Sequence, residues 1–301
     1  MNALSKLTFS ILTLGSLLLS ESALAGSRLD KIKETKTLLV GYLTEDFPFT
    51  YQNGQGQIQG FGINLSEEIR AFLEKEHGIS GLKIVPVPFD NGNRFTMTQN
   101  GEMDISCSSH SNTPERKQLV NFSNNFFVSR LRLAVRNDSS IKSYKDIEGK
   151  TVAVERSTPA ADLIESKKRQ HKFGKIVQTD GREENLDLLL KGEVDGVFEE
   201  DILLSGIAAL KGKSDQFKFV GPALSMDYYA CMLPKDDAEL KSAVDAALAQ
   251  YFLSNKVNAL YQQWFLEPID IGNGKKVNLN FELSSAIKQL YSTPNDRAIG
   301  E

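Results

Sequence analysis

The sequence is poor in the residues on which metal and redox chemistry depend. Its 301 residues include two cysteines, three histidines and one tryptophan. The histidines, His77, His110 and His171, do not have the spacing of metal ligands. Gly60-Phe61-Gly62 lacks the third glycine of a dinucleotide-binding loop. The sequence therefore predicts no metal and no cofactor.

An excess of positive charge is also absent. Lysine and arginine total 35 against 39 aspartates and glutamates, for a net charge of -4. This balance argues against a nucleic-acid partner, which requires a basic face. The composition, with 41% hydrophobic and 25% charged residues, is that of an ordinary folded protein. The length suits two domains of medium size.

A long apolar run occurs only near the N-terminus. Lys6 precedes the apolar segment Leu7 to Ser20, and Ala23-Leu24-Ala25 follows as a small-x-small cleavage signal. Residues 1-25 are therefore predicted to be a cleaved secretory signal peptide. A membrane anchor is the alternative, but the segment is short and no stop-transfer pattern follows it. We expect a secreted mature chain with no lipid anchor, because no cysteine lies near the cut.

The chain contains one strand-helix-strand pattern twice. The first copy runs from Lys83 to Asp104 and the second from Lys175 to Asp195. In both, a glycine three residues before the final aspartate, Gly101 or Gly192, falls where a helix ends and φ becomes positive. Two similar units in one chain predict two similar lobes.

The elements around these units alternate between strands and helices. This alternation predicts an α/β fold with mostly parallel sheets, and lobes that are joined by extended crossing strands. The predicted strands are Leu38-Tyr42, Leu131-Val135, Thr151-Val154 and Tyr228-Leu233, and the predicted helices are Ile63-His77, Pro159-Lys168, Asp201-Lys211 and Leu240-Phe265, the last interrupted near Ser254-Asn255.

Polar residues follow each copy of the repeated unit. Ser106 to Ser111 come after the first copy, and Glu199, Glu200 and Asp201 come after the second. In open α/β sheets ligands bind beyond the carboxyl ends of the strands. Hydroxyls on one side of a cleft and carboxylates on the other would suit a small zwitterion.

Arg116 is the sharpest single candidate for ligand binding. Thr113-Pro114-Glu115-Arg116 has the pattern of a helix start, where a cation opposes the helix dipole unless an anion is bound. A guanidinium can hold a carboxylate through two hydrogen bonds. The alternative is an arginine that simply faces solvent. Thr158 is predicted to cap the helix that begins at Pro159, and this role alone would explain it.

Several stretches together resemble family 3 extracellular solute-binding proteins, the polar amino acid receptors of ABC importers, and most closely their glutamate/aspartate-binding branch. The resemblance spans almost the whole mature chain and implies a type II periplasmic-binding fold, with two lobes that close on the ligand about two hinge strands. The stretches are Cys107-Arg116 (CSSHSNTPER), Asn121-Phe127 (NFSNNFF), Tyr229-Asp237 (YACMLPKDD), Trp264-Ile269 (WFLEPI), and Leu279-Leu283 with Thr293-Arg297.

The resemblance implies a division of the chain and a partner. Residues 26-127 and 227-301 would form the first lobe, and residues 128-226 the second. The expected protein is a periplasmic monomer that delivers an amino acid to a permease in the inner membrane. Two cysteines in an oxidising compartment leave open one disulfide or two buried thiols, and the bridge is favoured. Cys107 and Cys231 match paired cysteines of the branch, which strengthens that expectation.

The resemblance also assigns roles to individual positions. Arg116 corresponds to the arginine that holds the α-carboxylate of the ligand, and Ser109 and Ser111 correspond to its hydroxyl helpers. Thr158 falls on a threonine of the second lobe. Arg94 falls on an arginine of the pocket for an acidic side chain.

Four positions depart from the pattern of the branch. Leu43 stands where an arginine is usual, Arg182 where a histidine is usual, and Asn91 near a usual serine. Glu200 replaces the aspartate that receives the α-ammonium. A cation lost at Leu43 and gained at Arg182 would preserve an acidic ligand, or the pocket would take a different amino acid.

An enzyme on the same fold is the main alternative. Cyclohexadienyl dehydratases resemble these receptors and use a carboxylic acid as general acid. Glu200 or Glu199 would have to supply that group, which requires a buried glutamate with a raised pKa. The closer match to the receptor branch favours a binding protein that is not an enzyme.

Overall fold

The computed structural model describes residues 27-300, so the predicted signal peptide, residues 1-25, lies outside the described residues. The helices are α1 Arg28–Thr35, α2 Phe61–Glu76, α3 Arg94–Asn100, α4 Pro159–His171, α5 Arg182–Lys191, α6 Asp201–Leu210, α7 Ala238–Leu253, α8 Lys256–Tyr261 and α9 Ser285–Ser292. The strands are β1 Thr37–Tyr42, β2 Glu45–Asp46, β3 Thr50–Gln52, β4 Ile58–Gln59, β5 Lys83–Pro88, β6 Asn121–Arg136, β7 Thr151–Glu155, β8 Lys175–Thr179, β9 Gly196–Glu200, β10 Phe217–Leu233, β11 Ile269–Asp270 and β12 Lys276–Val277.

Two long strands connect the lobes. β6 and β10 pair antiparallel, and they form one side of a five-stranded sheet in the order β10-β6-β9-β7-β8. Phe126 and Phe127 of β6 belong to the larger hydrophobic core, whereas Leu131 and Leu133 belong to the core of the second lobe. One strand therefore passes from one core into the other, as expected for lobes joined by crossing strands.

The expectation of mostly parallel sheets is wrong. Among the described strands, the parallel pairs are β1 with β5, β7 with β8 and β7 with β9. β6 pairs antiparallel with both β9 and β10. The reason is that the chain passes between the lobes twice. It enters the second lobe along β6 and returns along the neighbouring β10, so these two strands run in opposite directions.

The repeated unit has the same local geometry in both lobes. Gly101 ends α3 and Gly192 ends α5, each with φ of 74°. The carboxylate of Asp104 accepts a hydrogen bond from Leu39 N at 2.8 Å, and that of Asp195 accepts one from Thr151 N at 2.9 Å. The aspartate of each copy thus joins the end of its unit to the neighbouring strand. The copies differ after this aspartate. The second continues as strand β9, whereas the first continues only in isolated β-bridges.

Local signals in the sequence agree with the helices observed. Thr158 caps α4, and its hydroxyl accepts from Ala161 N at 3.1 Å. The long C-terminal helix is interrupted at Asn255, whose φ is 62°. Within residues 27-300 no helix is both long and apolar enough to cross a membrane.

Cys107 and Cys231 form a disulfide. Both are fully buried in the core of the first lobe. The bond joins the segment that follows the first repeated unit to β10, next to the loop that carries Ser109 and Ser111. The preference for one bridge over two thiols is confirmed.

Candidate functional site

A polar cavity lies between the lobes, at the ends of strands and the beginnings of helices. Glu155 ends β7 and Glu200 ends β9, while Arg94 begins α3 and Arg182 begins α5. All seven residues predicted to bind ligand line this cavity. Its lining is Leu43, Asn91, Arg94, Ser109, His110, Ser111, Arg116, Glu155, Thr158, Pro159, Ala160, Arg182, Glu199 and Glu200.

The segment that carries Arg116 is not the helix start that the sequence suggested. The structure has only a three-residue helical turn, Arg116–Gln118. Thr113 still caps it, since its hydroxyl accepts from Arg116 N at 3.3 Å. So short a turn has a negligible dipole, because the macrodipole requires many aligned peptides. The argument from an opposed helix dipole is therefore wrong, although Arg116 does lie in the cavity.

Arg94, which is buried, and Arg116, which is partly buried, are two cations without an anionic partner in the described part of the chain. Neither has a carboxylate oxygen within 4 Å among the residues from 27 to 300. Arg116 donates to the carbonyl oxygen of Ser111 at 3.2 Å, and Arg94 donates to the amide oxygen of Asn91. The Arg94 side chain also has its Nε buried without a hydrogen-bond partner.

Burial and mutual repulsion affect the pKa of both guanidinium groups. Burial and the charges of Arg116 and Arg182 lower the pKa of Arg94 to about 10. Burial also lowers the pKa of Arg116, against the attraction of Glu200 and Asp227. Arg94 remains charged at neutral pH, because a pKa of about 10 is well above 7. The cavity thus holds two guanidinium groups that lack carboxylate partners among residues 27-300.

Arg182 has the opposite surroundings. Its guanidinium lies 3.3 Å from Asp46 Oδ1, 3.5 Å from Glu155 Oε2 and 4.0 Å from Glu199 Oε1. Burial tends to lower the pKa of Arg182, but Glu155, Asp46 and Glu199 outweigh it and the pKa is raised. We call these four residues, Asp46, Glu155, Arg182 and Glu199, the Arg182 cluster.

The Arg182 cluster and its neighbour Asn91 link the two lobes. Asp46, in β2, belongs to the first lobe, whereas Arg182 begins α5 in the second. Asn91 of the first lobe donates to Glu155 Oε1 of the second at 3.2 Å. The cavity walls are thereby held together by side chains of the protein itself.

Ser109 is engaged within the chain. Its backbone N donates to Asp46 Oδ2 at 2.7 Å, and its hydroxyl donates to Asp46 Oδ1 at 2.6 Å. Asp46 is 1% exposed. Burial raises its pKa, while Arg182 and the two bonds from Ser109 act against the rise. The sequence suggested that Ser109 donates to a ligand. In the structure its donors bind the carboxylate of Asp46 instead.

Glu199 and Glu200 form the acidic wall of the second lobe. Burial and the nearby charge of Glu155 raise the pKa of Glu199 to about 7. Burial, Asp227 and Glu199 raise the pKa of Glu200 well above its ordinary value. Ser129 of β6 donates to Glu200 Oε1 at 3.2 Å. This bond holds the side chain of Glu200 beside β6, one of the two strands that pass between the lobes.

The two remaining predicted residues have different local roles. The Thr158 hydroxyl donates to Glu155 O at 2.7 Å and also accepts from Ala161 N to cap α4. Both hydrogen bonds of this hydroxyl are therefore made within its own segment of the chain. Ser111 is buried and bridges to Tyr229 of β10. Ser111 also supplies the carbonyl oxygen that receives Arg116, and it therefore positions that guanidinium.

Three lining or supporting residues were missed by the sequence analysis as site residues. Glu155 follows a predicted strand directly, so the rule on carboxyl ends of strands points to it. Asp46 ends the two-residue strand β2 and carries no comparable signal in the sequence. His110 accepts or donates a hydrogen bond at 2.9 Å with Ser106, and burial, Arg94 and Arg116 hold its pKa well below the usual value. His110 is therefore neutral at physiological pH.

The donor set is suited to organic ions rather than to a metal. Among the residues that the structure describes, no group of three or more His, Cys, Asp or Glu side chains is arranged to hold a metal ion. The carboxylates of the Arg182 cluster surround a guanidinium instead. What the cavity offers a ligand is the two arginines Arg94 and Arg116 and the carboxyl of Glu200, on which the charge of Asp227 acts from outside the lining.

Comparison with known proteins agrees with this architecture. Residues 38-267 match the bacterial extracellular solute-binding proteins, family 3, and the chain belongs to this family. It is 32% identical to the glutamate/aspartate import solute-binding protein of Salmonella typhimurium, over 91% of this chain and 90% of that one. It is also 32% identical to the L-glutamate/L-aspartate-binding protein of Pseudomonas aeruginosa, over 90% and 89% of the two chains.

A solved structure shows the same fold. The cysteine-binding protein of Campylobacter jejuni superposes with a TM-score of 0.68 at 26% sequence identity, covering 80% of this chain and 94% of that one. The expected α/β fold with two lobes, two hinge strands and a cleft between them is confirmed.

Proposed function

We propose that this protein is the periplasmic binding component of an ABC importer for a polar amino acid, with glutamate and aspartate as the leading ligands. The observation that carries the proposal is the pair of cavity arginines, the buried Arg94 and the partly buried Arg116, without a carboxylate partner among residues 27-300. A buried charge is costly unless it is paired. Two adjacent unpaired cations are suited to a ligand with two carboxylates.

The α-groups of the ligand define its orientation. Arg116 holds the α-carboxylate, and a bidentate contact uses the planar guanidinium best. Glu200 and Asp227 receive the α-ammonium, since among the acidic groups they have the strongest attraction for Arg116. An ammonium at that position favours the ionised form of both carboxyls, because burial raises the pKa of each and the charge of Asp227 raises that of Glu200 further.

Arg94 receives the side-chain carboxylate. It lies beside Arg116, and both guanidinium groups contact the ring of Phe95, at 4.8 and 5.8 Å from its centroid. The relatives from Salmonella typhimurium and Pseudomonas aeruginosa are named for glutamate and aspartate. This supports an acidic ligand, although Leu43, Asn91, Arg182 and Glu200 depart from the branch.

Lobe closure couples binding to transport. The lobes exchange at residues 127/128 and 226/227, positions that lie within β6 and β10. A ligand favours the closed form only through contacts that the open form lacks, here those with Glu200 of the second lobe. A permease in the inner membrane recognises the closed monomer, and residues 1-25 direct the chain to the periplasm.

Calorimetric titration of refolded protein tests the proposal. Refolding removes any amino acid carried through purification, and the titration uses glutamate, aspartate, glutamine and arginine. We expect binding of glutamate or aspartate, and Arg116→Ala should abolish it while Arg132→Ala does not. Arg132 is the matched control because it donates to Gly221 O, outside the cavity lining. Absence of binding by any amino acid would refute the proposal.

A dehydratase is the second candidate, because one requirement for it is met. Glu199 has a pKa raised to about 7, and Glu200 a pKa raised further above its usual range. Against it, the named relatives import or bind amino acids. Incubation with prephenate decides between the two functions, since turnover that disappears in Glu200→Gln or Glu199→Gln would identify an enzyme.

A further inference from the structure

Asp46 occupies the kind of position that a ligand carboxylate would occupy. One of its oxygens accepts from the Ser109 backbone, and the other accepts from the Ser109 hydroxyl and from Arg182 Nη1 at 3.3 Å. The donors come from both lobes, as they do around a ligand held in a cleft. All three are groups that a carboxylate in the cavity would otherwise attract.

The contrast with Arg94 and Arg116 shows what Asp46 does to the site. Those two guanidinium groups have no carboxylate within 4 Å in the described part of the chain, whereas Arg182 has three. A cation that is already paired has little attraction left for a second anion, and a further carboxylate would be repelled by those already present. The recognition of an acidic side chain is thereby left to Arg94.

We infer that Asp46 is a specificity-determining residue, which withholds Arg182 from the side-chain carboxylate of the ligand and engages Ser109, so that Ser109 does not donate to the ligand. This inference rests on the proposed function and deepens it. Asp46 lowers the preference of the site for acidic over neutral amino acids, because an acidic ligand must compete with it for the same donors. A neutral amide side chain, as in glutamine, is not excluded in this way.

The affinity ratio of glutamate to glutamine isolates this effect. Asp46 also joins the lobes, so its loss will change the stability of the closed state. That change will alter the affinity of every ligand by the same factor. Such a change affects both ligands equally and cancels in the ratio. A role limited to lobe closure would therefore leave the ratio unchanged.

The experiment is calorimetric titration of the refolded full mature chain with glutamate and with glutamine. In Asp46→Ala we expect the glutamate-to-glutamine ratio to rise about tenfold, the size of one charge-assisted hydrogen bond. Asp104→Asn is the matched control, because Asp104 is also a buried aspartate of the first lobe that accepts from a backbone N–H, outside the cavity. A ratio within twofold of the wild type in Asp46→Ala overturns the inference.

A second variant protects the test against misfolding. Ser109→Ala removes one donor of Asp46 and very little volume. If Ser109 serves Asp46, glutamate affinity should stay within threefold of the wild type. A tenfold loss specific to glutamate would show that Ser109 donates to the ligand, and would overturn the inference. Failure of the wild type to bind any amino acid would instead reject the proposed function, so the two failures are distinct.

Discussion

Arg116 and Arg182 line the same cavity, yet their surroundings are opposite. Arg116 has a carbonyl oxygen at 3.2 Å and no carboxylate within 4 Å in the described part of the chain. Arg182 has carboxylates at 3.3, 3.5 and 4.0 Å. The physical consequence is that Arg182 stabilises the protein, while Arg116 is left to bind an anion from outside.

The comparison shows that an arginine in a binding cleft is not by that fact a ligand contact. Its role depends on whether the chain already supplies the counter-charge. Both arginines are partly buried, and both were candidates from the sequence. The partners differ because Arg182 lies where β2 of the first lobe meets β7 and β9 of the second, and each of these strands ends in or near an acid.

The largest expected effect is on stability, in Arg182→Ala. Removal of this guanidinium leaves Asp46, Glu155 and Glu199 together without a cation, and breaking a buried ion pair by removing one partner costs about 3–5 kcal/mol. Urea denaturation of ligand-free protein measures the loss. In Arg116→Ala, where no ion pair is lost, the free energy of unfolding should change by less than about 1 kcal/mol. Equal losses in the two variants would contradict the comparison.

The second effect is on binding, in Arg116→Ala. Loss of a buried charge-assisted contact to the α-carboxylate should lower affinity for every amino acid ligand by about 100-fold or more. Calorimetric titration measures this. An affinity within threefold of the wild type would show that another group holds the α-carboxylate.

A smaller and more selective effect is expected in Arg94→Ala. Because Arg94 holds only the side-chain carboxylate, affinity for glutamate should fall about tenfold or more, while affinity for glutamine should change by less than threefold. Competition titration with both ligands gives the two values. A parallel loss for both would mean that Arg94 contacts the α-carboxylate or supports the fold.

The smallest expected effect concerns pH, in Glu199→Gln. The pKa of Glu199 is about 7 in the folded protein and near 4.5 when unfolded, so the unfolded state binds fewer protons between these values. This group therefore stabilises the fold below about pH 4.5, and its contribution is lost as the pH rises to about 7. Thermal unfolding of ligand-free protein from pH 4.5 to 8 should show a shallower decline in Glu199→Gln. An identical pH profile would contradict a raised pKa at this position.

The sequence analysis predicted local features well, for a physical reason. The cap at Thr158, the helix ends at Gly101 and Gly192, and the break at Asn255 depend on hydrogen bonds and dihedral angles within a few residues. The rule that ligands bind beyond strand ends pointed to Ser109, Ser111 and Glu200, and the family resemblance added Arg94 and Arg182, all of which line one cavity. The turn at Arg116 was the exception, because no helix follows it.

The prediction of parallel sheets failed because strand direction is not encoded in apolar runs. The parts of β6 and β10 that the sequence predicted, Leu131-Val135 and Tyr228-Leu233, are mostly buried like a parallel strand, yet the two strands pair antiparallel. Only the crossing between lobes, a property of the whole chain, decides their direction. The neighbours of β6 and β10 in the sheet are likewise decided by the fold of the whole chain and not by the sequence of either strand.

By itself the sequence determined the class of fold, the family resemblance, the preference for a disulfide and seven of the residues that line the cavity, whereas Glu155, His110 and the supporting Asp46 were missed. The tertiary structure alone decided which of those residues have partners within the chain. Asp46 and Arg182 are 136 residues apart in sequence and meet only because the lobes face each other. Local pattern specifies which charges a chain carries, whereas the energy of a buried charge depends on what lies within a few ångströms of it, and only the folded chain sets those distances.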